Sequence, residues 1–292
     1  MKNYYFIIAL FVFAVVLTCG KKQDSQTRAA DQQIKLTQQW ATDTLLTTCE
    51  SVLYDPDQDV LYVSCINGQP LEKNGKGFIA RVNMDGTIND LEWATGLNAP
   101  KGSGIWNGKF YVTDIDELVE IDLATGEIDN RYPAANATFL NDIAVDKSGN
   151  VYMSDMSETN NVIYIFSNGE LKMWLQDPQI VSPNGVFVDG NKLIVGTSKA
   201  TLSAVDLADK SITKIADTGF GIDGVQADGN GNYFVSDWSG MTSVVTSGGK
   251  IQVLLNTTEK KINSADIEYI PARKMLLTPT FFDNRVIAYL VE

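Results

Sequence analysis

One short unit recurs six times along this chain, and the recurrence limits the fold more than any other feature. In "FLNDIAVDKSGNVYMSD" (139–155) polar residues lead into a short apolar strand. The chain then turns at Asp, Gly or Asn, and a second strand ends in Ser-Asp. The same grammar appears in "CESVLYDPDQDVLYVSC" from Cys49, "PKGSGIWNGKFYVTDID" from Pro100 and "SPNGVFVDGNKLIVGTS" from Ser182. It returns in "GIDGVQADGNGNYFVSDWSG" from Gly221 and, more weakly, in "SADIEYIPARKMLLTPTFFDNR" from Ser264. The equivalent first positions are Glu50, Lys101, Asn141, Asn184, Asp223 and Ala265, about 40–50 residues apart. Two more strand signals follow most copies, as in "NVIYIFSNG" and "ELKMWLQD". Four short strands in such a period make one blade of a propeller.

The expected fold is therefore all-β: a six-bladed β-propeller over residues 34–292. The sixth copy stops at Glu292 after three clear strands, whereas "IKLTQQWAT" (34–42) is a strand without a hairpin partner. That segment is expected to supply the last blade's outer strand and close the ring, which removes an unpaired edge. Almost no stretch holds a 3.6-residue apolar period, so a helix-rich fold is excluded.

The first residues belong to targeting rather than folding. Lys2 precedes "FIIALFVFAVVL" (6–17), an apolar run shorter than the roughly 20 residues of a spanning helix. The run ends in "VLTCGKK", which resembles a bacterial lipobox with Cys19 as the lipidated residue, although Thr18 stands where a smaller residue is usual. Residues 1–19 thus read as a lipoprotein signal peptide and residues 20–33 as a flexible polar tether. The expected location is the bacterial cell envelope, lipid-anchored at the outer membrane on its periplasmic or surface side. Membrane contact is expected through that anchor alone. A formal net charge of -13 argues against nucleic acid or an anionic lipid surface as the main partner, and a monomer is expected. Export permits disulfides. Folding the first hairpin about its turn near Asp57 sets Cys49 opposite Cys65, so a cross-strand disulfide and two buried thiols are both open.

Three motifs lead elsewhere on inspection. "GFGIDG" (219–224) has the letters of a dinucleotide-binding loop but is followed by a strand instead of a helix. "DPDQD" (55–59) starts like an EF-hand loop, yet Val60 occupies the required glycine position. The strand-terminal Asp114, Asp155 and Asp237 recur with the repeat, so they are expected to bond backbone rather than act in catalysis.

The chain contains no histidine. This removes imidazole-based nucleophile activation and most zinc sites, leaving carboxylates, amides, hydroxyls, lysine or an oxygen-ligated ion. In a propeller the first strand of each blade lines the central channel. Glu50, Asn141, Asn184 and Asp223 should then face one another, either as caps of strand starts or as ligands of a cation between repelling carboxylates. Such oxygen ligands suit a hard divalent ion, calcium most naturally, with magnesium or manganese as alternatives.

At these residues the sequence resembles the senescence marker protein (regucalcin)/gluconolactonase group of six-bladed propellers. Glu50 in "CESVLYD" matches the group's first-blade metal glutamate, and Asn141 with Asp142 in "FLNDIAVD" matches its Asn-Asp pair. Asn184 in "SPNGVFVD" and Asp223 in "GIDGVQAD" fall on its "NG" and "DG" motifs. The resemblance implies that Glu50, Asn184 and Asp223 hold the ion, with Asn141 touching metal, water or substrate. It also departs: Phe139 stands where sugar-lactone-acting members carry arginine. The blade rhythm is similar, too, to strictosidine-synthase-like and NHL-repeat propellers, some of which bind without catalysing.

The implied activity is metal-dependent hydrolysis of a small-molecule lactone or related ester, with Asp223 or Glu50 as base. Lys101 would bind substrate or neutralise the ring, and Phe139, Trp106 and Trp238 would wall the pocket. The alternative is a non-catalytic propeller that binds a ligand or protein and uses the ion structurally. By strict strand alternation Asp142 should point away from the ring.

Overall fold

The computed structural model describes residues 1–2, 34–157 and 161–292. The expected Cys19 and tether lie outside these residues, as does most of the leader. Residues 34–292 form one unit built from six four-stranded antiparallel sheets, the six-bladed propeller anticipated from the repeat. Blade 1 runs outward from Cys49–Asp55, blade 2 from Pro100–Trp106 and blade 3 from Leu140–Val145. Blades 4, 5 and 6 start at Pro183–Asp189, Val225–Ala227 and Glu268–Ile270. The outer strand of blade 6 is Leu36–Ala41, antiparallel to the C-terminal Val286–Val291, so the two ends of the propeller chain complete one sheet.

Both faces of every blade must be apolar, because each sheet is covered by a neighbour on either side. The second strands show how alternation achieves this. In blade 1, Leu61 and Val63 pack toward blade 6, whereas Tyr62 packs toward Phe110 and Val112 of blade 2. In blade 3, Val151 and Met153 face blade 2, and Tyr152 faces blade 4. Blade 4 repeats the arrangement with Leu193 and Val195 against Ile194, and a further cluster around Phe234 and Leu276 joins blades 5 and 6. The core is thus six apolar layers between blades, with a smaller cluster of Ile66, Ala99, Ile115, Ala265 and Phe281 joining blades 1, 2 and 6.

Around the channel the inner strands approach closely. One residue beyond each ring position stand Ser51, Gly102, Asp142, Gly185, Gly224 and Asp266. A Cβ on Gly224 would lie 2.5 Å from the Ile267 nitrogen and 2.6 Å from the Asp266 carboxyl. Gly102 abuts the Asp142 backbone in the same way, and Gly185 that of Asp223. The glycines after Lys101, Asn184 and Asp223 are therefore required by the blade-to-blade approach. Serine and threonine from the second strands tie these layers together. Ser236 accepts from the Gly224 N–H at 2.8 Å and donates to the Ala265 carbonyl at 2.7 Å in the next blade. Thr113 donates to the Asn141 carbonyl. Asp114 accepts from the N–H groups of Asn98 and Ala99, and Asp155 from that of Phe139, so both bond backbone at the entrance to an inner strand.

Cys49 and Cys65 are directly opposed, as the hairpin required. A disulfide does not join them: both are free buried thiols, with the Cys49 Sγ–H directed to the Arg285 carbonyl at 3.1 Å. Burial pushes the Cys49 thiol up to about 12, which keeps it protonated and unreactive.

Gly224→Ala should lower the unfolding free energy by about 1–3 kcal/mol, since the neighbouring backbone has no room to yield. Equilibrium denaturation against wild type measures this; an unchanged midpoint would show that the inner strands can separate.

Candidate functional site

The ring positions stand where each chain segment enters its inner strand. Four of these strands carry a β-bulge there, between Cys49 and Ser51, Pro100 and Ser103, Leu140 and Ile143, and Pro183 and Val186. A bulge interrupts strict alternation, so two successive side chains can both face the channel. Asp142 nevertheless stays out of the cavity that Asn141 lines, pointing away from the ring as alternation suggested. Asn141 lines a cavity at one end of the channel, and Asp142 lines another at the opposite end. Asp142 also links blades, accepting from Ile143 and from Val186 of blade 4, each at 2.6 Å.

The first cavity, of about 400 Å³, brings together Glu50, Lys101, Asn141, Asn184 and Asp223. All five side chains are buried. The Asn184 amide donates to Asp223 Oδ1 at 2.8 Å. That bond leaves Asn184 Oδ1 and Asp223 Oδ2 without a hydrogen-bond partner, and Glu50 Oε2 is likewise unpartnered. Three buried acceptor oxygens are thus orphaned on three blades, a costly arrangement for unsolvated groups. The Asn141 amide donates to Met156 Sδ at 3.6 Å.

Electrostatics reinforce the strain. Burial first, then the charges of Asp223 and Asp266, push the Glu50 carboxyl well above its ordinary range, while Lys101 opposes the shift. Asp223 rises to about 7 through burial and Asp266, with the Asn184 bond acting the other way. Deeper in the channel, burial pushes the Asp142 carboxyl well above its ordinary range, with the charge of Asp266 adding to the shift, and lifts Asp266 to about 7, while Ser51 donates to Asp266 at 2.7 Å. Lys101 is committed to the backbone: its ammonium donates to the carbonyls of Pro70 and Ala99, each at 2.9 Å. Burial lowers it to about 8, against the pull of Glu50 and Asp114.

Among the described residues no group of three or more His, Cys, Asp and Glu side chains converges in the manner of a metal cluster. The ring brings two carboxylates and two amides instead, and its donors are oxygens throughout. Phe139 and Trp238 line the same cavity. Trp106 does not, since it borders the larger cavity of about 660 Å³ at the other mouth. Met156, Phe281 and Phe282 also line the first cavity and carry no repeat-specific signal in the sequence. Asp266 was accessible to the repeat alignment, as the sixth copy's counterpart of Asp142.

Residues 48–264 match the sequence model of the SMP-30/Gluconolactonase/LRE-like region. No curated protein sequence matches the chain. Among solved structures it is similar to virginiamycin B lyase from Staphylococcus aureus, at 15% identity and a TM-score of 0.62, over 88% of this chain and 99% of that one. A chain of a nidogen/laminin complex aligns at 16% identity and TM-score 0.60, covering 74% and 82%. The WD40 propeller domain of Doa1 aligns at 14% and 0.60, covering 82% and 78%. At these identities the structural likeness concerns the fold.

Without divalent ions, the raised carboxyls set a definite pH trend. Asp223 titrates near 3.9 in an unfolded chain and at about 7 when folded, so its contribution is full below about pH 4 and is lost as pH rises through about 7. Chelated protein should therefore melt several degrees lower at pH 8 than at pH 5.5, and Asp223→Asn should flatten that slope. Thermal scans across the range test this; a melting temperature rising with pH would contradict it.

Proposed function

Because the chain belongs to the SMP-30/gluconolactonase/LRE-like family, we propose that the polar ring is the centre of a divalent-metal-dependent hydrolase of lactones or related esters. The observation carrying this reading is the set of orphaned oxygens on Glu50, Asn184 and Asp223, with Asn141 beside them in one cavity. Their donor chemistry fits a hard cation, calcium foremost, with magnesium or manganese as substitutes. Once bound, such an ion would neutralise the facing carboxylates and supply Lewis-acid polarisation of a substrate carbonyl.

The chain's own residues would do the rest. Asn184 fixes Asp223 through Oδ1, which leaves Oδ2 free to take a proton from an attacking water. Glu50 is the second candidate for the same role. In the reaction the water oxygen joins the acyl carbon, the acyl carbon–oxygen bond of the ester breaks, and the proton ends on the released alcohol. The Lys101 ammonium, bonded to two carbonyls beneath Phe139, would moderate the ring's negative charge and hold the wall in place.

Asp223→Ala and Glu50→Gln should each lower kcat/KM on a responsive lactone by at least about 100-fold and abolish stoichiometric metal uptake. A lactone and ester panel assayed with and without chelator, beside elemental analysis of the purified protein, makes the test. Metal-loaded, folded protein that turns over nothing would favour the binding propeller. Protein that takes up no divalent ion would remove the metal centre itself.

A further inference from the structure

Above the polar ring the cavity changes character. On one side Trp238, Phe281 and Phe282 form a three-membered aromatic cluster. The Trp238–Phe281, Trp238–Phe282 and Phe281–Phe282 centroids are 5.4, 5.9 and 4.8 Å apart, at interplanar angles of 76°, 79° and 85°. Edge-to-face packing satisfies the rings mutually while leaving the outer two accessible, Trp238 at 44% and Phe282 at 61% of full exposure. Phe281 is buried and holds a φ of +50°, a region that bulky side chains avoid. The backbone departs from its preferred conformation to turn Phe282 outward beside the cavity. Asn263 donates to the Trp238 carbonyl at 2.8 Å and secures the other edge.

Across the cavity the wall is Phe139, whose ring lies over the Lys101 ammonium at 5.2 Å. Because that ammonium already donates to two carbonyls, it offers a ligand little. Asn141 is turned to Met156. Asp237, also on the wall, accepts from Ser239 at both oxygens. A polyhydroxylated lactone would bury most of its hydroxyls against Phe139, Phe281, Phe282 and the Trp238 ring, which offer a single indole N–H between them, with Gln69 and Ser198 the further polar wall residues. An apolar ring would instead extend the existing edge-to-face cluster.

The geometry points to a substrate class: a neutral lactone or ester bearing a flat apolar substituent near its carbonyl, preferred over a polyhydroxylated lactone. This rests on the hydrolase reading of the ring and specifies what the walls above it select. Trp238 and Phe282 are the specificity-determining residues, and Phe139 forms the opposing wall.

Three probes share one ring and one scissile bond: γ-phenyl-γ-butyrolactone, γ-hydroxymethyl-γ-butyrolactone and unsubstituted γ-butyrolactone. With metal-loaded protein, kcat/KM for the phenyl compound should exceed that for the hydroxymethyl compound by roughly tenfold or more. Trp238→Ala and Phe282→Ala should bring that ratio toward one, chiefly through KM. Trp106→Ala, at the other mouth, should leave it unchanged. Equal or reversed preference, or a ratio unmoved by both wall variants, overturns the assignment. If none of the three is hydrolysed, the hydrolase reading fails separately. Calorimetry then decides the apolar subsite: binding of the phenyl lactone that weakens in Trp238→Ala supports it, and no binding of that lactone overturns it.

Discussion

Closure of the ring is the constraint on which everything else in this molecule depends. Each blade presents two apolar faces, and a row of sheets with open ends would leave the outermost faces in water. The annulus removes those ends, and the chain joins them by placing Leu36–Ala41 beside Val286–Val291 in one sheet. At the channel, where blade 6 closes against blade 1, Ser51 donates to Asp266, and the Asp266 N–H donates to the Glu50 carbonyl at 3.0 Å. That closing contact therefore shares a hydrogen-bond network with the ring that carries the candidate chemistry.

Packing blades around an axis leaves a channel, and the sequence lines that channel with polar groups instead of filling it with aliphatic ones. Glu50, Asp223, Asp142 and Asp266 are all buried there, and each carboxyl is pushed above its ordinary range chiefly by burial. A fold seeking stability alone would avoid this, since isolated buried charge is among the costliest arrangements available to a protein. The deeper pair, Asp142 and Asp266, accepts blade-linking hydrogen bonds from Val186 and Ser51. The outer pair keeps orphaned oxygens, which face a cavity. Local frustration of this kind, inside an otherwise consistent fold, is what the proposed metal centre would relieve.

Much of this was legible in advance, for a reason visible in particular residues. Six copies of one unit can be superposed on paper, and rotation about a common axis turns sequence equivalence into spatial convergence. Hence Glu50, Asn141, Asn184 and Asp223 meet in one cavity although the first and last are far apart in the chain. What was not legible involved departures from strict repetition. Asp142 does point away from the ring, but the bulge between Leu140 and Ile143 keeps it at the channel, where it lines the other cavity and links blades 3 and 4. Trp106 was placed with Trp238, yet it ends an inner strand whereas Trp238 follows a second strand, and those ends open on opposite mouths. The Cys49–Cys65 register was legible, and of the two states it left open the structure shows the pair of buried thiols.

Period, alternation and composition are local or additive properties. They were sufficient to determine the all-β propeller, its six blades, the closing strand and the membership of the polar ring, and the absence of histidine restricted the chemistry to oxygen donors. Tertiary structure alone decided which oxygens remain without partners, because hydrogen bonding between blades depends on the approach of strands distant in sequence. It also decided that Lys101 is committed to the carbonyls of Pro70 and Ala99, and that Trp238, Phe281 and Phe282 gather above the ring. Loops from different blades meet there, and no repeat records where their side chains will point.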